Sequence, residues 1–194
     1  MFFFQELCYY YHMSEAPYIS NLNSAIAYLK MGKRDNAREA LNRALSQVPE
    51  EEKKSDNPSY IKLLSYLAAV AVGDEDYTSA ARYIEEGLAL KEIHADLLYM
   101  RLLVLIHRGA YNAMFPDVLK YLIACGAEDR NLYDCGFTTQ EAIDKVMNEM
   151  LPLAYEHSTN HEAYFAAVMR YTETMDNKLL KRAHEIMKSI DITN

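Results

Sequence analysis

A helix–turn–helix pattern recurs along this chain at a step of 34 residues, and a fixed step of that size is the mark of a stacked repeat. The clearest copy reads SAIAYLKMGKRDNAREALNRALSQVP, residues 24–49. Ala25, Tyr28 and Met31 share one face of a first helix. Gly32 breaks that helix, and Lys33-Arg34-Asp35 form a short polar turn. Ala37, Leu41, Ala44 and Leu45 make the inner face of a second helix, which Pro49 ends. Small residues at 25, 37 and 44 let two antiparallel helices approach closely, where bulkier side chains would push the axes apart.

The pattern returns in YIKLLSYLAAVAVGDEDYTSAARYIEEGLAL, after the charged linker PEEEKKSDNP. Ala68 and Ala71 are the small residues of its first helix, residues 73–76 its turn, and Tyr77, Ala80, Ile84 and Gly87 its second helix. A third copy reads ADLLYMRLLVLIHRGAYNAMFPDVLKYLIACG, with Gly109, Tyr111, Met114, Val118 and Tyr121 at matching places. Tyr77 and Tyr111 stand 34 residues apart, whereas Arg34 and Tyr77 stand 43 apart, a difference that coincides with the charged linker.

Over residues 18–126 the chain resembles the tetratricopeptide repeat family, whose hairpins place small, aromatic, turn and apolar residues in this order. The first copy is the strongest match. The second has Glu75 where the family has its turn glycine. The third has Leu102, Met114 and Tyr121 where the family has small residues, and Pro116 in the first turn of its second helix. The resemblance implies an all-α, right-handed superhelix of three hairpins (18–50, 59–92 and 95–126). An aromatic N-terminal segment (1–16) precedes them and a helical C-terminal cap (127–194) follows. In that cap, Thr138-x-x-Glu141 reads as a capping box and Pro152 as a bend or restart. Ser158, Thr159 and Asn160 offer caps to one helix and Asp176 to the last. GAEDRNLYDCGF, 126–137, is the longest expected loop.

Composition closes off other classes. The chain has 194 residues, 51% of them hydrophobic, with only 6 Gly and 5 Pro. That argues against disorder and against an all-β fold. A net charge of −8 without a basic stripe makes it a poor ligand for nucleic acid or anionic membrane. Cys8, Cys125 and Cys135 form neither a disulfide framework nor a zinc pattern, which fits reduced thiols in the cytoplasm. MFFFQELCYYYHMSE lacks a basic start and a small-residue cleavage site, so it does not read as a signal peptide.

No catalytic constellation stands out, and the chain reads as a non-enzyme without cofactor or metal. GxGxxG, GxxxxGK[ST], HExxH and GxSxG are all missing. His157 and His161 straddle a helix start and have no third ligand at a suitable spacing. Cys125 has no histidine or basic neighbour to activate it. The carboxylates at 50–52, 74–76 and 85–86 fall in linkers and on outer faces.

In tetratricopeptide arrays the first helix of each hairpin lines a concave surface. The resemblance therefore assigns that surface to Ile19, Leu22, Ile26, Leu29 and Lys30, then Lys62, Ser65, Ala69 and Val72, then Asp96, Tyr99, Leu103, Ile106 and His107. His107 reads as a polar wall residue at its edge. Family members that clamp acidic chaperone tails use Lys, Asn and Arg there. Here Leu22 and Ile26 replace the first pair, and Ser65 and Ala69 the next, so that ligand class is rejected. The expected occupant is a partner helix or peptide that buries apolar side chains. A symmetry mate and the chain's own aromatic N-terminus are alternative occupants, and that N-terminal segment is expected to pack as an extra helix against the first hairpin or else to make a dimer contact. A chaperone of exported proteins and an accessory domain of a larger enzyme, such as a glycosyltransferase, are the rival functions.

Overall fold

A computed structural model describes residues 16–54, 57–126, 135 and 137–193. The aromatic segment 1–15 and most of the expected loop 126–137 lie outside the described residues. Among those described there is no strand: the chain is all-α. It divides into two compact units, residues 1–63 and 64–194.

In the first unit, α1 (Pro17–Lys30) and α2 (Arg34–Gln47) form a hairpin. Proline at the first position of α1 suits a site whose N–H has no helical partner. Tyr18, Leu22 and Ala25 make the buried stripe of α1, and Ala37, Ala40, Leu41 and Ala44, all fully buried, that of α2. Burying Leu41 removes a side chain worth about 1.5–3 kcal/mol from water, and the alanines let it sit between close helix axes. A short 3₁₀ turn (Glu52–Lys54) follows, in the charged insertion. The insertion is tied back to the hairpin: the Tyr18 hydroxyl donates to Glu52, and Asn57 Nδ2 donates to the Tyr18 oxygen at 3.1 Å.

Helix α3 runs Pro58–Gly73 and α4 Tyr77–Leu90, with the unit boundary falling inside α3. In the second unit, α4, α5 (Ala95–His107) and α6 (Phe115–Gly126) pack in sequence, α5 against both neighbours. Gly87 makes room there, since a Cβ on it would run into the Leu97 side chain. Pro116 falls in the first turn of α6, where proline costs no hydrogen bond. Leu102, Met114 and Tyr121, large residues at positions where the family has small ones, are all fully buried. Arg101 on α5 donates to Asp117 in the first turn of α6, its Nε lying 2.6 Å from Oδ2.

The C-terminal region contains α7 (Gln140–Lys145), a π-helical turn (Val146–Met150), α8 (Leu151–Glu156), α9 (His161–Thr174) and α10 (Lys178–Thr193). The π turn is the physical form of the expected break at Pro152, which opens α8 in a position that needs no N–H donor. Two caps differ from expectation by one residue. Thr139, not Thr138, caps α7 by accepting the Ala142 N–H at 3.3 Å. Asn177, not Asp176, caps α10, its Oδ1 accepting from Leu179 at 2.9 Å and Leu180 at 3.3 Å. Asn177 is buried, and its Nδ2 also donates to the Leu122 carbonyl of α6 at 3.1 Å. That second bond selects it over the exposed Asp176. Helix α10 packs on α6, α8 and α9. Phe115 of α6 stacks on Tyr164 of α9, with ring centroids 4.2 Å apart.

Candidate functional site

The three hairpin turns are built alike. Gly32, Glu75 and Gly109 have φ of 72°, 60° and 67°. Each donates its N–H to the carbonyl three residues back, Leu29, Val72 and Ile106. The next residue, Lys33, Asp76 or Ala110, donates to the carbonyl five back at 2.9 Å in every case. This left-handed C-terminal closure satisfies the last carbonyls of each first helix and reverses the chain. In the second turn Asp76 also caps α4, accepting the Ser79 N–H at 3.0 Å.

Several residues of the first helices are only partly buried. In the first unit Ile26 and Leu29 of α1 are half-buried and Lys30 is exposed, while Met31 beyond the helix end is 64% exposed. Lys62, on the part of α3 in this unit, is half-buried. In the second unit Ala69 and Val72 of α3 and Leu103 and Ile106 of α5 are half-buried. His107 is exposed and stacks on Tyr77, centroids 3.8 Å apart and planes 18° from parallel.

Four of the residues assigned to the concave surface are buried. Leu22 is 2% exposed, because it shares the α1 stripe of Tyr18 and Ala25. Ser65 is buried at 2%. Tyr99 is 6% exposed, covered by Phe137: their rings stack at 4.7 Å and 14°. Asp96 is 1% exposed, and its carboxylate accepts the main-chain N–H groups of Cys135 at 3.0 Å and Phe137 at 3.3 Å. Tyr121 completes the enclosure, donating its hydroxyl to the Phe137 carbonyl at 2.6 Å. Helical periodicity points neither to Phe137 nor to the part Asp96 plays. The available signal was an aromatic residue next to a glycine inside a polar loop.

Electrostatics around this enclosure are acidic. Burial, and then the Glu149 and Glu141 carboxylates, push the Tyr99 hydroxyl above its ordinary range. Tyr121 is raised much further, chiefly by burial. Both stay protonated, and Tyr121 stays a donor, at any physiological pH.

An all-α architecture of hairpins with identical closures at 32, 75 and 109 defines a helical-repeat protein. Residues 18–93 match the family model of the tetratricopeptide repeat, so that stretch is similar to the repeats of that family. The third hairpin lies outside the match but carries the same turn. Repeats of this family generally act as protein-interaction modules. The chain matches no curated protein. Among the described residues no helix is long and apolar enough to cross a membrane.

Proposed function

We propose that the chain is a non-enzymatic interaction module whose first helices offer apolar side chains to a partner helix or extended peptide. The observation that supports this most is the row of half-buried apolar residues on those helices: Ile26 and Leu29 in the first unit, and Ala69, Leu103 and Ile106 in the second. Lys62 and His107 supply polar edges. The first and third hairpins are each packed within one unit, so the side chains they present are in place before binding and little ordering entropy is lost on contact. Leu22, buried in the hairpin core, does not touch the partner.

The test is affinity capture with wild type and with Ile26→Glu and Leu103→Glu, read by quantitative mass spectrometry. A partner retained by wild type and lost by the variants, with melting temperatures unchanged, supports the reading. A partner list indifferent to both substitutions contradicts it.

A further inference from the structure

One face of α9 is exposed from its first turn to its last. Among the described residues of this helix, Val168 alone is buried. The inner side meets the rest of the second unit: Tyr164 stacks on Phe115, and Phe165 lies against the His184 ring with centroids 4.8 Å apart. At about 100° per residue, Glu162, Ala163, Ala166, Met169, Arg170 and Glu173 fall together on the other side, with Ala166 at the middle. All six are exposed. The last elements of a helical-repeat protein normally turn a polar face to water. Here the centre of the face is alanine and methionine, and charged residues flank it.

Those charges are arranged for a second copy of the chain. Glu162 stands four residues before Ala166 and Arg170 four residues after it. Two antiparallel copies of α9 that meet at Ala166 therefore put Glu162 of each level with Arg170 of the other, about 6 Å along the axis from the meeting point on either side. In the same register Ala163 falls level with Met169, small against large, and Ala166 meets its own symmetry mate, where a methyl group lets the axes approach closely. A parallel pairing would instead set Glu162 against Glu162 and Arg170 against Arg170. Self-complementarity of the antiparallel kind is what a two-fold interface requires. Among the described residues, neither Glu162 nor Arg170 has an ion-pair partner within its own chain, so both are available to a mate.

We propose that α9 is a self-association surface, through which two copies of the chain pair antiparallel about Ala166 with a Glu162–Arg170 ion pair at each end. The face is one helix wide, at or below the small end of the roughly 1,200–2,000 Å² that standard interfaces bury. The pair is accordingly weak, with a dissociation constant on the order of 10–100 μM.

Sedimentation equilibrium of the whole chain over about 5–200 μM spans that range. A salt concentration of about 0.15 M screens the net charge of −8 on each copy beyond about 8 Å. Wild type should shift from monomer to dimer across the series. Glu162→Arg and Arg170→Glu each bring like charges together at both ends and should weaken association at least about tenfold. An equimolar mixture of the two single variants restores both ion pairs and should dimerise as wild type does. Both substitutions fall on exposed positions, so the variants should melt within a few degrees of wild type. A wild-type chain that stays monomeric throughout overturns the proposal. So does a dimer that survives both single variants, as one formed through the N-terminal aromatic segment would, and so does a mixture that associates no better than its components. None of these failures touches the interaction-module reading, whose test uses Ile26 and Leu103 on other helices.

Discussion

Glu75 holds a backbone conformation that its two counterparts leave to glycine. Its φ of 60° matches those of Gly32 and Gly109, and the same two hydrogen bonds close around it. A side chain in the left-handed region costs about 1–2 kcal/mol, which glycine escapes at the expense of some chain entropy. Glu75→Gly should therefore raise stability by about 0.5–1 kcal/mol in urea unfolding, while Gly32→Ala and Gly109→Ala should each lower it by about 1 kcal/mol. No neighbouring atom crowds either glycine, so conformation alone sets the sign. Sequence spacing locates all three turns, because glycine and polar residues punctuate the apolar pattern there. It does not show that Glu75 keeps the glycine conformation, since the strain is imposed by the hairpin that closes around it.

Buried tyrosines set a second expectation at this scale. Tyr18, Tyr121 and Tyr155 all have hydroxyls raised above the ordinary value of 10.0, first by burial. Tyr155 also donates to Asp191, whose carboxylate opposes a phenolate beside it. Folding keeps these protons while the unfolded chain loses them near pH 10, so the unfolded state binds fewer protons above that point. Their contribution is intact below about pH 10 and is lost as the pH climbs through the higher folded values. The urea midpoint should fall from pH 10 upward, with Tyr155→Phe flattening the slope.

Between elements, the junction of α6 with α10 depends on one pair. A Cβ on Gly126 would overlap the Asn177 carboxamide. That carboxamide is fixed by bonds to Leu122, Leu179 and Leu180 and has no free direction in which to move. Gly126→Ala and Asn177→Ala should each cost about 2 kcal/mol, by overlap in the first case and lost buried hydrogen bonds in the second. The double variant should cost less than the sum by more than about 1 kcal/mol, since the clash disappears with the carboxamide. Additive costs would show that the two residues act separately. The helices themselves are legible in the sequence, and so is the approximate place of each cap. The choice between Thr138 and Thr139, or between Asp176 and Asn177, is not. Neighbouring residues of equal capping ability are separated only by tertiary contacts such as the one Asn177 makes to Leu122.

At the scale of the molecule, repeat period and composition are enough to read an all-α repeat protein, because the 34-residue step survives even where the third copy departs from the family. The surface is legible only in part. Ile26, Leu29, Leu103 and Ile106, which counting along a helix assigns to the proposed surface, are half-buried. Leu22 is not, because the stripe through Tyr18 and Ala25 takes it into the hairpin core. Leu22→Ala should accordingly act on stability, by about 2–5 kcal/mol, and leave binding by the folded fraction unchanged. Tyr99 fails for a different reason: its cover, Phe137, lies 38 residues further along the chain, and helical periodicity carries no information about such a contact.

Calorimetric titration of a captured partner into wild type and Leu103→Glu, at several temperatures, tests the central claim most directly. Apolar side chains carrying the interaction predict a negative heat-capacity change on binding and a dissociation constant at least about tenfold weaker in the variant. A heat-capacity change near zero, with both chains binding equally well, would contradict the claim that the first helices bind through apolar surface.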